Sequence, residues 1–313
     1  MNIEQRPAEI VLDQAAGSLV GLAVGDALGG PVEGLTAAEI AGRHGFLMEM
    51  VGGGHLGLDP GETTDDTAQT IAIAESLLAC RGLDPADIAD RFSLWYLLRP
   101  KGLGTHTTSV LDRMAGGEDW EIASLKVQAQ NPQSAGNGSL MRCAPIALMD
   151  HATHAVLIEN SRLGSRITHP HASCQWSCAF VNLIIAELLS GSEITHAVDN
   201  ALATCGHRGD VFFPVLERAR NAALSADAGV LNPGGHVLDT LECAIWALVH
   251  HDSFEQAVGS AVNLGGDADT IGAVTGALAG AAYGFESIPE RWLIHINNWQ
   301  LLKDLAQELV KNS

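Results

Sequence analysis

Asn263-Leu264-Gly265-Gly266-Asp267-Ala268-Asp269-Thr270-Ile271-Gly272 organises the rest of the chain. A glycine pair leads into two carboxylates and a hydroxyl, and a small-residue helical run from Ile271 to Tyr283 follows at once. Glycine lets backbone approach a ligand closely. Asp and Thr at a helix start can also be ordinary caps. A second acidic cluster, Thr63-Thr64-Asp65-Asp66-Thr67, again precedes a helical run. Hard divalent cations want several oxygen ligands, more than one such cluster supplies. Two clusters, distant in sequence and both at helix starts, read as two halves of one metal site.

The charge pattern favours that reading over simple capping. Close carboxylates repel unless something cationic lies between them. Lys and Arg total only 17, and none lies within four residues of either cluster. Four carboxylates (Asp65, Asp66, Asp267, Asp269) and two hydroxyls (Thr64, Thr270) are enough to hold two hard ions such as Mg²⁺ or Mn²⁺.

Outward from these clusters the pattern is helical. From Ala8 to Leu28, Ile10, Val11, Ala15, Leu19, Leu22 and Ala23 recur at helical spacing, while Gly17, Gly21 and Gly25 add a four-residue period of small residues. That period costs helix propensity but allows close helix packing. Residues 42–61 read as a glycine-rich loop that delivers the chain to the Thr-Asp-Asp cluster. Further helices are expected over 68–80, 84–98, 118–130, 154–167, 172–189, 193–205, 210–224, 236–250, 254–262, 271–284 and 289–310, with another opening after Lys101-Gly102-Leu103-Gly104-Thr105-His106. Alternating β-branched patterns are almost missing. The expected fold is all-α, a compact orthogonal bundle of roughly ten or more helices at typical lengths, in one domain over residues 1–313.

Composition narrows the function classes. A net charge of -20 argues against a nucleic-acid backbone or an anionic membrane as main partner. The apolar runs near 19–30 and 271–285 are too short or carry Asp26, so no membrane span is expected. Six cysteines without a Cys-x-x-Cys pair suggest buried reduced thiols and a cytoplasmic location. Met1-Asn2-Ile3-Glu4-Gln5-Arg6-Pro7 has no basic region followed by an apolar core, so no signal peptide is expected.

Three further candidates carry weaker patterns. Glu33, in a Gly/Pro-rich turn, is either a solvated surface acid or a water-activating carboxylate beside the metals. Gly136-Asn137-Gly138-Ser139 is either a turn with Asn in the left-handed conformation or, with Ser134, a cradle of backbone N–H groups for phosphate. His169 and His171, beside Pro170, are either loop residues or part of a ligand site.

Taken together, Gly21-Leu22-Ala23-Val24-Gly25-Asp26-Ala27-Leu28-Gly29, Glu33, Thr64-Asp65-Asp66-Thr67, Gly136-Asn137-Gly138 with Met141-Arg142, Ile167-Thr168-His169 and Gly265-Gly266-Asp267-Ala268-Asp269-Thr270 resemble the ADP-ribosylglycohydrolase family in content and order. The look is closest to its branch of ADP-ribosyl-arginine hydrolases that act on dinitrogenase reductase. One loop differs from that branch, which has an acid after Arg-Pro where this chain has Lys101-Gly102-Leu103-Gly104, the form of other branches. The resemblance implies an all-α fold, two Mg²⁺ or Mn²⁺ ions in a cleft, and hydrolysis of the bond between the terminal ribose of ADP-ribose and a protein side chain, commonly arginine. It implies Thr64, Asp65, Asp66, Asp267, Asp269 and Thr270 as metal ligands and Glu33 as the carboxylate near the metals; Glu33 or a metal-site aspartate such as Asp269 is the candidate that activates water or stabilises an oxocarbenium-like state. It further implies Ser134, Gly136, Asn137 and Gly138 around the diphosphate, His169 near the ribose and phosphates, and Gly102 and Gly104 at the distal ribose. Hydrolysis of another linkage (serine, nucleic acid or a small molecule), phosphoester hydrolysis and a non-catalytic relative stay open as alternatives.

Overall fold

The helical periodicity resolves into sixteen α-helices among the described residues, which are 7–206, 213–225 and 227–313 of the computed structural model. In chain order they are α1 (Ala8–Gly29), α2 (Ala37–His44), α3 (Asp65–Cys80), α4 (Pro85–Tyr96), α5 (Thr105–Ala115), α6 (Trp120–Gln130), α7 (Ala144–Asp150) and α8 (His154–Arg166). Then follow α9 (Ala172–Ser190), α10 (Ile194–Gly206), α11 (Phe213–Ser225), α12 (Val237–Val249), α13 (Phe254–Val262), α14 (Ala268–Tyr283), α15 (Glu290–Leu293) and α16 (Trp299–Lys311). No strand occurs among the described residues, only isolated bridges at Thr36–Gly265, Gly53–Leu58 and Gly136–His236. The all-α expectation holds.

The glycine period of α1 decides the centre of the molecule. A Cβ on Gly17 would lie 2.4 Å from the Gly280 carbonyl oxygen, one on Gly21 2.4 Å from that of Gly276, one on Gly25 1.9 Å from that of Gly272, and one on Gly29 2.2 Å from that of Ala268. Rising numbers on α1 thus meet falling numbers on α14, and the two helices run antiparallel, backbone against backbone. The other faces of α1 are apolar too, and Leu19, Leu22, Val24 and Leu28 are buried to 1% exposure or less. A helix hydrophobic all round belongs inside. The antiparallel seam brings the end of α1, with Asp26, beside the start of α14, with Asp267 and Asp269. By length and apolarity Ala8–Val32 and Ala172–Ser190 could each cross a bilayer, but 100% and 83% of their most apolar windows are buried inside the protein, as core helices are.

Some expectations need correction. The sequence pattern signals no helix at 37–44 or 144–150, where α2 and α7 form. Thr36 and Glu39 make a capping box that starts α2 just before the glycine-rich stretch, and Pro145 sits in the first turn of α7. The single helix expected over 289–310 is two, α15 and α16, separated around Asn297-Asn298, residues with weak helix propensity. α4 stops at Tyr96 rather than Leu98, and the expected helix start at 210 lies outside the described residues. Five cysteines are buried, whereas Cys80 is exposed, and no disulfide links any of them among the described residues.

Candidate active site

The Thr64-Asp65-Asp66-Thr67 turn at the start of α3 is held from behind by Asp26. This wholly buried carboxylate accepts from the Thr64 N–H (3.0 Å), the Thr64 hydroxyl (2.9 Å), the Thr67 N–H (3.2 Å) and the Thr67 hydroxyl (2.6 Å). Four donors on two oxygens match a carboxylate and no neutral side chain of that size. Burial still raises the Asp26 pKa to about 6. Asp65 accepts from the Gln69 amide at 3.1 Å, and Gln69 accepts in turn from the buried Arg142 guanidinium. Asp66 Oδ2 is buried and has no hydrogen-bond partner among the described residues.

The start of α14 is fixed by its glycine pair. Gly265 and Gly266 adopt φ of 77° and 66°, and their absent side chains admit Leu35 backbone on one side and Pro233 backbone on the other. The close approach is therefore to neighbouring chain rather than to a ligand. Gly34 N–H donates to the Gly266 carbonyl and Gly266 N–H to the Leu35 carbonyl, each at 2.7 Å, so the turn carrying Glu33 is stitched to the second acidic cluster. Asp267 occupies the cap position of α14 without making a side-chain cap bond; its Oδ2 accepts from the Asn137 amide at 2.8 Å. Asp269 accepts from the Thr270 N–H at 2.8 Å.

Oxygen atoms of Glu33, Asp267 and Asp269 come within 4.8 Å of one another. Glu33 is thus not a solvated surface acid: it faces this cluster, with the His55 ring 3.5 Å behind it. Burial, then the Asp26 charge, pushes Asp65 up to about 7. Asp66 and Asp269 lie well above the usual carboxylate range, first through burial and then through repulsion, from Asp26 foremost for Asp66 and from Asp66 foremost for Asp269. Glu33 is raised by burial and by Asp267. Crowded, desolvated, all-oxygen groups with an orphaned Asp66 oxygen fit a hard cation.

One cavity of about 300 Å³ collects Glu33, Asp65, Asp66, Asp267, Asp269 and Thr270 together with Gly102, Gly104, Ser134, Gly136, Asn137, Gly138 and His169. Thr64 is buried just outside its lining, its hydroxyl turned to Asp26. Gly102, at φ 88°, leaves room for Asp65, whose Oδ1 would be 2.8 Å from a Cβ there. Asn137 is not in the left-handed conformation. Its amide is committed to Asp267 and to the Thr240 hydroxyl, both at 2.8 Å, and so ties the glycine loop to the acidic cluster. His171 does not join the site; it caps α9 by accepting from the Ser173 N–H at 3.2 Å.

Asp26, Gln69, Arg142 and His106, whose ring also lines the cavity, are the participants whose parts the sequence hides. A lone acid in an apolar helix is the one signal that was available, for Asp26, since buried polar groups are informative.

Comparison with known proteins fits this geometry. The family model described as ADP-ribosylglycohydrolase matches residues 7–313. The ADP-ribosyl-[dinitrogen reductase] glycohydrolase of Rhodospirillum rubrum is 34% identical, with 90% of each chain covered. The ADP-ribosylarginine hydrolase Tri1 of Serratia proteamaculans (strain 568) is 31% identical over 97% of this chain and 80% of that one. A solved structure titled "ADP-ribosylglycohydrolase-related protein complex" superposes with a TM-score of 0.80 and 37% identity, covering 97% of this chain and 99% of that one. With this match over nearly its whole length, the chain belongs to the ADP-ribosylglycohydrolase family, hydrolases that act on a glycosidic bond.

Proposed function

We propose that the protein removes single ADP-ribose units from arginine side chains of a modified protein, using two divalent cations, Mg²⁺ or Mn²⁺. The observation that carries this reading is the single cavity shared by the acidic helix starts, Glu33 and the Ser134–Gly138 loop with His169. Two relatives whose names specify ADP-ribosyl-arginine or ADP-ribosylated dinitrogen reductase support the substrate class.

In this reading Thr64, Asp65, Asp66, Asp267, Asp269 and Thr270 hold the cations. Cations held there would neutralise the carboxylates and would supply Lewis-acid polarisation to the bound sugar. The chain's own residues do the rest. The loop at Ser134, Gly136, Asn137 and Gly138, with His169, grips the diphosphate, and Gly102 and Gly104 border the distal ribose. Positioning at both ends fixes the anomeric carbon. Water adds there as the bond to the guanidine nitrogen breaks, through an oxocarbenium-like state that a nearby carboxylate stabilises. Glu33 or Asp269 takes the water's proton; the guanidine nitrogen departs with the bonding pair and is reprotonated from solvent, to which the carboxyl returns its own proton. The reading extends to a cytoplasmic location, which the reduced state of the six cysteines supports.

A panel of ADP-ribosyl linkages tests it. Release from arginine, with intact ADP-ribose as product, is expected. AMP as product would mean phosphoester chemistry instead, and release from serine or nucleic acid alone would move the acceptor.

A further inference from the structure

Behind the cavity lies a row of buried polar groups that the proposed reaction does not use. Arg142 is 1% exposed, its guanidinium 4.6 Å above the Phe92 ring, and no carboxylate pairs with it directly among the described residues. It donates through one nitrogen to Gln69 and through the other to the Thr168 hydroxyl at 2.6 Å. That hydroxyl is 2.7 Å from His169 Nδ1. Thr168 itself is fully buried.

Proton counting fixes the direction of these bonds. A guanidinium can only donate, so it occupies a lone pair of the Thr168 oxygen. The hydroxyl has one proton, and His169 Nδ1 is the acceptor against it among the described residues. With Nδ1 bare, the neutral ring carries its proton on Nε2. Burial, the neighbouring His106 and Arg142 all hold His169 far below the usual histidine range, so the ring is neutral. The opposite tautomer would leave the buried Thr168 proton without an acceptor, at the cost of an unmade bond. Nε2 makes no hydrogen bond among the described residues. It lies against the glycine loop, 3.2 Å from where a Cβ on Gly138 would be.

The same residue governs the second ring. His106 Nε2 lies 2.9 Å from the Thr168 carbonyl oxygen, which can only accept. His106 Nδ1 is therefore bare and takes the Ser134 hydroxyl proton at 3.3 Å. The two rings stand 4.7 Å apart, centroid to centroid, on the cavity wall.

We propose that Thr168, oriented by Arg142, is a positioning residue that sets both cavity histidines as their Nε2–H tautomers, so that His169 meets a ligand as an obligatory donor. The complementary group is an oxygen acceptor, the diphosphate of ADP-ribose; that identification rests on the function proposed above, whereas the tautomer does not.

The test uses the full-length protein with ¹⁵N-labelled histidine, its spectra recorded after chelation and its ADP-ribose affinity measured with Mg²⁺ added. Long-range proton–nitrogen correlation spectra separate the two tautomers, and the His169 signal is assigned by its loss in His169→Asn. A bare Nδ1 and protonated Nε2 are expected in the wild type and in Thr168→Ser. Thr168→Val should show the Nδ1–H form or a mixture, with ADP-ribose affinity lower by about 10- to 100-fold, the range seen when the hydrogen bond that orients a metal-ligating histidine is removed. Thr168→Ser should restore both. A protonated Nδ1 in the wild type overturns the proposal without needing any variant to fold, as does a Thr168→Val protein whose His169 signal is unchanged. Wild-type protein with the expected tautomer but no affinity for ADP-ribose upholds the tautomer assignment and overturns the proposed substrate.

Discussion

Asp66→Asn lowers turnover by about 10³-fold or more while raising the melting temperature of the chelator-treated protein at pH 7. The activity loss follows from Lewis-acid stabilisation worth several kcal/mol, at roughly 1.36 kcal/mol per factor of ten. The stability gain follows from burial and charge. Asp66 is buried, Oδ2 is unpartnered, and Asp26, Asp65, Asp267 and Glu33 all raise its pKa. A carboxyl whose folded pKa is raised binds more protons when folded than when unfolded. Stability then falls as pH rises above the unfolded value, 3.8 for Asp. The penalty is absent below that value, so the variant's advantage should vanish as the pH approaches about 4. Added Mg²⁺ or Mn²⁺ should stabilise the wild type at pH 7 much more than the variant. Calorimetric melting with and without cation, beside a turnover assay, checks all three. Full activity in Asp66→Asn would remove this residue from the metal set.

Gly25→Ala should cost about 3 kcal/mol or more of stability, near or beyond the upper end of ordinary overpacking. Its Cβ would sit 1.9 Å from the Gly272 carbonyl oxygen, and that neighbour is helix backbone rather than a movable side chain. Neither α1 nor α14 has open space to move into, since both are buried over most of their length. Gly42→Ala on α2 is the control, because a Cβ there meets nothing within 4 Å. It should stabilise by about 0.5–1 kcal/mol through helix propensity alone. Denaturant titration of both variants separates crowding from propensity; equal effects would contradict the backbone-to-backbone seam. Because Asp26 follows Gly25 directly, any folded Gly25→Ala protein should also lose activity.

What was legible in the sequence was what is local. Asp65-Asp66 and Asp267-Ala268-Asp269 declare themselves as adjacent acids at helix starts, and the glycine period of α1 announces close helix contact. Their convergence was suggested by chemistry rather than by spacing. The structure brings Asp65, Asp66, Asp267, Asp269 and Thr270 to one cavity with Glu33. Glu33 was ambiguous because its position depends on the backbone stitch between Gly34 and Gly266, more than two hundred residues apart. Asp26 read as a feature of an apolar run, although its partners Thr64 and Thr67 are in plain view, since no local pattern tells which acid turns toward which hydroxyl. His106 was hidden for the same reason: its partners, Ser134 and Thr168, come from two other segments. The Gly265-Gly266 pair was legible as close approach but not as approach to Leu35 and Pro233. Asn297-Asn298 was the overlooked signal for the break between α15 and α16.

The most direct test of the central claim is release of ADP-ribose from mono-ADP-ribosyl-arginine, measured with Mg²⁺ or Mn²⁺ and again after chelation. Cation-dependent release of ADP-ribose with its diphosphate intact is the expected result. Equal release in the presence of chelator, or no release by protein that demonstrably binds the cation, would contradict it.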